Sequence, residues 1–84
     1  MRSEIAVEAA TAEEVSELRR ALRGNQRVDL VATNAETVEL SGERRGLREL
    51  TRTLLVRERS AREFGQAALA AADRSVRTRL QKAV

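Results

Sequence analysis

The spacing of apolar side chains changes character at Gly42, and that change limits what this chain can fold into. Before it, short runs alternate. From Glu4 to Ala9, Ile5 and Val7 fall on one side and Glu4 and Glu8 on the other, the pattern of a half-buried strand. "RVDLVAT" sets Val28, Leu30 and Ala32 inward, and "TVELSG" does the same with Val38 and Leu40. Asn34-Ala35 between them reads as a hairpin turn, though without a glycine. One helical segment interrupts these strands. Thr11 with Glu14 three residues on is a capping box, Val15, Leu18 and Leu22 follow at i, i+3, i+7, and Gly24-Asn25 closes the segment.

Beyond Gly42 only helical spacing remains. Leu47, Leu50, Leu54 and Leu55 make one apolar face of a helix over about 43–59, and a second helical stretch runs from Ser60 to Val84. Val76, Leu80 and Ala83 share an arc of about 60°, while Phe64 falls more than about 100° away on the same wheel. One straight rod would bury Leu80 and expose Phe64, so a break is expected near Ala70–Asp73, with Asp73 as the new N-cap. The alanines at 67, 68 and 70–72 favour the opposite reading, a single helix. The expected architecture is α+β: one domain over 1–84, β-α-β-β-α followed by one or two C-terminal helices.

The material for a core is thin. About twenty large apolar residues, nearly all Leu and Val with Phe64 the only aromatic, offset the ordering of 84 residues at roughly 1.5 kcal/mol each. A homodimer, or a partner that completes the core, is therefore expected. No apolar run approaches the ~18 residues of a membrane span, and the N-terminus turns acidic where a leader would be apolar, so the expected location is cytoplasmic.

The chain has no His, Cys, Trp or Tyr, and Lys82 is its only lysine. Thiol chemistry, imidazole ligands and triads are thereby excluded, Schiff bases nearly so with a single lysine near the end of the last helix, and no glycine-rich phosphate loop is present. Glu13, Glu14 and Glu17 cluster on the first helix, where helix propensity and the dipole already favour glutamate. The chain reads as non-enzymatic, with no cofactor, metal or small-molecule substrate.

Charge divides where the apolar period does. Residues 1–42 carry five basic and eight acidic side chains; residues 43–84 carry eleven and five. Arg44, Arg48 and Arg52 follow at i, i+4, i+8 and Arg59 returns to the same flank, with Arg45 at the border. Such a stripe suits an anionic partner. The competing reading pairs it with acids of the first half, such as Glu39 or Asp29. In the last stretch, "DRSVRTRLQKAV", Arg74, Ser75, Arg77, Arg79 and Lys82 lie opposite Val76 and Leu80, and these residue types hydrogen-bond phosphates and base edges.

"SAREFGQAALAAADRSVRTRLQKA", residues 60–83, resembles a degenerate helix-turn-helix with alanines where a glycine is usual. Residues 4–56, through "EEVSELRRALRGNQRVDLVATNAETVELSG" and "ERRGLRELTRTL", resemble the small antitoxins of the Phd/YefM type. That resemblance implies a dimeric repressor whose C-terminal segment neutralises a toxin. Two features depart from it: "TNAE" replaces a basic, glycine-containing turn, and the charge polarity is reversed. No functional residue is transferred. The expectation is a small regulator of antitoxin or transcriptional-repressor type that binds nucleic acid through arginine-rich helices. The alternative is an inhibitor, immunity or adaptor protein that docks an acidic partner surface through the same stripe.

Overall fold

A computed structural model describes residues 2–8, 11–34 and 37–84. They form β1 (Arg2–Glu8), α1 (Ala12–Leu22), β2 (Val28–Thr33), β3 (Thr37–Glu43), α2 (Arg44–Glu63) and α3 (Ala67–Ala83). The architecture is α+β, in the order the sequence predicts, with two C-terminal helices. The strands make one antiparallel sheet with β3 at its centre, in the order β1-β3-β2. Ile5 pairs with Leu40 and Val7 with Val38, which puts the alternating apolar residues on one face. That face is covered by Leu18 of α1, Leu47, Leu50 and Leu54 of α2, and Val76 and Leu80 of α3.

Local signals explain several element ends. The Thr11 hydroxyl accepts from the Glu14 N–H at 3.1 Å and starts α1. The Asn34 side-chain oxygen accepts from the Thr37 N–H at 2.8 Å and joins β2 to β3; Ala35 lies outside the described residues.

Ala32 does not point inward as the alternation predicts. The partners step from Leu30↔Leu40 to Ala32↔Glu39, so Val31 is an extra residue in a β-bulge and Ala32 turns to the open face.

The helical break also moves. It lies at Phe64–Gln66, not at Ala70–Asp73. Gly65 takes φ 71°, its N–H donates to the Arg62 carbonyl at 3.3 Å, and the Gln66 N–H donates to the Ala61 carbonyl at 2.8 Å. This is a Schellman ending, which requires a left-handed residue that glycine adopts without strain. The alanines carry α3 straight through the expected break. Asp73, expected at an N-cap, is buried in the middle of α3.

Close approach fixes the start of β2. A methyl group at Gly46 would lie 2.5 Å from the Arg27 Cβ, and one at Gly42 would lie 2.7 Å from the Arg27 carbonyl oxygen. Asn25 tightens the same corner: its side chain donates to the Gly46 carbonyl and accepts from the Arg27 N–H.

Candidate nucleic-acid interface

The interface is best defined by what the interior takes first. Four acidic side chains, Glu14, Glu17, Glu58 and Asp73, are buried, and arginines from neighbouring helices answer three of them. Arg57 of α2 grips both oxygens of Glu17 at 3.1 Å, and Arg20 adds a bond at 2.8 Å. Burial alone would raise the Glu17 carboxyl, but hydrogen bonds from Asp73, Arg20 and Arg57 hold it below the usual carboxylate range. Arg79 of α3 donates to Glu14 at 2.6 Å and to the Glu8 carbonyl at 3.0 Å.

Glu58 sits on the seam between α2 and α3. Arg77 and Arg62 donate to it at 2.9 and 2.8 Å, and Arg74 adds its charge nearby. Burial would raise this carboxyl too; the Arg77 bond and the three guanidinium charges instead lower it. Asp73 is different. Neither of its oxygens receives a hydrogen bond from a described donor, and burial together with the facing Glu17 pushes it up to about 7.

These pairs take arginines from the sequence-predicted site. Arg77 is mostly buried against Glu58, and Arg79 is tied to α1 and β1. Both are fold-holding groups as well as candidate contacts. The competing reading, in which sheet acids such as Glu39 or Asp29 pair with the α2 stripe, is not met among the described residues. Asp29 is held by Arg2 at 2.7 Å, and Glu39 forms no ion pair among the described residues. Arg27 takes Glu49 at 2.9 Å and approaches Glu43 at 3.9 Å.

The stripe itself remains open to solvent. Arg44, Arg48, Arg52 and Arg59 are exposed, and none has a hydrogen-bond or ion-pair partner among the described residues. Glu63 lies one turn beyond Arg59 without pairing to it. From Arg44 to Arg59 the stripe runs about 22 Å at 1.5 Å per residue. Its N-terminal end coincides with the start of α2. The first turn of α2 has no acid and no side-chain cap, and it carries Arg44 and Arg45. Cations there oppose the helix dipole by roughly 0.3–1 kcal/mol, and an anion would relieve that while accepting from free N–H groups.

The exposed face of α3 is a shallow basic groove of about 640 Å³. Its floor is Ala67, Ala70 and Ala71, and its polar lining is Arg62, Arg74, Ser75, Thr78, Arg79 and Lys82. Arg62 connects the two helices: it follows Arg44 by about five turns on the same side of α2, and it lines the α3 groove. Sequence reading missed Arg62, because the helix was expected to end near residue 59. It also missed the buried carboxylates, although Glu14, Glu17 and Ala21 form an arc that continues from Leu18. The buried face of α1 is rotated toward that arc, which leaves Val15 and Leu22 half-buried.

Comparison with protein families, curated proteins and solved structures finds no match to this chain. No described helix is long and apolar enough to cross a membrane, and no described cluster of His, Cys, Asp or Glu has the makings of a metal site.

Proposed function

We propose that this protein is a small non-enzymatic regulator, of antitoxin or transcriptional-repressor type, that binds nucleic acid along the basic surface of α2 and α3. One observation carries the reading. Arg44, Arg48, Arg52 and Arg59 stay exposed and unpaired in a fold that pairs Arg20, Arg57, Arg62, Arg77 and Arg79 with buried carboxylates. A linear run of cations about 22 Å long matches roughly six phosphate steps of one strand. Arg74, Thr78 and Lys82 on α3 extend it with groups suited to phosphates and base edges. We expect it to act in the cytoplasm, as a homodimer when free of nucleic acid.

Fluorescence anisotropy of the full chain on a random duplex of about 30 bp, at about 50 and about 200 mM salt, tests this. Binding that weakens by roughly 10²–10³-fold between the two conditions is the expected result. Absence of binding at the lower salt overturns it and leaves the acidic protein surface as the partner.

A further inference from the structure

The three helices leave one face of the sheet uncovered. Across its middle, Ala6, Glu39 and Ala32 are cross-strand neighbours, and the bulged Val31 beside them is 56% exposed. A shallow groove of about 200 Å³ runs here between Glu4, Ala6, Val31 and Glu39. Glu4, Glu8 and Glu39 are exposed and form no ion pair among the described residues. The patch is thus a small apolar centre within a carboxylate rim, on a sheet face that none of the described helices covers.

The outer surface of α2 has the opposite composition. Val56 is 59% exposed and lies between Arg52, one turn before it, and Arg59, one turn after. It is an apolar centre within an arginine rim. Both patches carry charges that their own chain leaves unpaired, and the signs are complementary.

We propose that the open sheet face of one copy receives the α2 arginine face of a second copy, with Val56 against Val31 and Ala6, and Arg52 and Arg59 against Glu39 and Glu4. Intramolecularly the two faces do not meet, so the carboxylates expected to neutralise the stripe are supplied by the neighbour. The contact joins two different patches. It closes at a dimer when the two copies exchange it reciprocally, and it continues to higher assemblies when they do not. The inference does not rest on nucleic-acid binding: a duplex and a second copy would compete for Arg52 and Arg59, so the assembly is that of the protein free of nucleic acid.

Sedimentation velocity of the full chain, without nucleic acid and across micromolar to millimolar concentration, provides the test. Glu39→Arg and Arg52→Glu both fall on exposed positions, and circular dichroism checks that each variant folds. The wild type is expected to associate, more weakly as salt rises, and each variant alone to lose roughly tenfold or more in affinity. An equimolar mixture of the two variants is expected to recover association, because the reversed sheet of one then faces the reversed helix of the other. A monomeric wild type, association that neither variant weakens, or a mixture no better than its components overturns the proposal.

Discussion

Glu17 on α1 and Asp73 on α3 lie carboxyl to carboxyl across the interface between their helices, and neither is exposed to solvent. Arg57 and Arg20 hold Glu17 as the anion, and Glu58 adds further negative potential at Asp73. Asp73 therefore stays protonated to about pH 7 and donates to Glu17. Its carboxyl is raised on folding from 3.8, so between 3.8 and about 7 the folded chain binds more protons than the unfolded one. Stability from this group is full below that window and is lost as pH rises through it, by at most about 1.4 kcal/mol per pH unit. Glu17, lowered on folding, works in the opposite sense, and its contribution is lost only as pH falls below the ordinary carboxylate range.

Asp73→Asn follows directly. An amide still donates to Glu17 and cannot ionise, so the variant is expected to be more stable than wild type above pH 7 by about 1–3 kcal/mol, with a flatter pH profile. Urea midpoints from about pH 5 to about pH 8 check it. A wild type that gains stability across that range contradicts the assignment.

Removing Arg57 leaves Arg20 as the one cation paired with Glu17 among the described residues. Arg57→Met is expected to cost about 1–3 kcal/mol, a figure reduced because a third of the Arg57 side chain remains in solvent. Adding Glu17→Gln to that background is expected to recover part of the loss, since no buried charge then lacks a partner. A double-mutant cycle with no coupling would refute the pairing.

Two glycines are expected to respond to alanine for different reasons. On helix propensity alone Gly46→Ala gains about 1 kcal/mol, yet here the new methyl meets Arg27 Cβ at 2.5 Å, and a net loss of about 1–3 kcal/mol is expected. Gly65→Ala meets nothing within 4 Å and is expected to cost about 1–2 kcal/mol through its φ of 71°. Thermal melts of the two variants decide this. A stabilised Gly46→Ala would contradict the packing of β2 against α2.

The last helix belongs to the core. Val76 and Leu80 are fully buried beside Leu50 and Leu54, so Leu80→Ala is expected to cost about 2–5 kcal/mol and a chain ending at Ala72 to unfold. Retention of a cooperative melt by the shortened chain would show α3 to be dispensable.

The elements were legible in the sequence because each has a local cause: alternation for Ile5–Val7 and Val38–Leu40, the Thr11 cap, and the leucine spacing of α2. Their faces and ends were less legible. The bulge at Val31 has no glycine to announce it and depends on which β3 residue it opposes. The turn at Gly65 was readable, since it is the one glycine in the second helical stretch, but the wheel mismatch of Phe64 drew attention to Asp73 instead. Phe64 is exposed at the turn, so the mismatch marked the junction itself. Of the candidate site, the α2 stripe was visible as spacing, and its freedom from partners was not. Which arginines are consumed depends on pairs far apart in the chain, such as Arg57 with Glu17 and Arg79 with Glu14, which no local pattern specifies.

The most direct measurement is the salt dependence of duplex binding for the full chain and for a variant with Arg44, Arg48, Arg52 and Arg59 all changed to Ala. Each phosphate contact contributes about −0.9 to the slope of log affinity against log salt, so the variant is expected to lose about 3–4 from the magnitude of that slope. A control with Arg19→Ala on α1 and Arg23→Ala at its C-cap, both exposed, is expected to keep it. A stripe variant that binds with the wild-type slope would contradict the account and move the interface off α2.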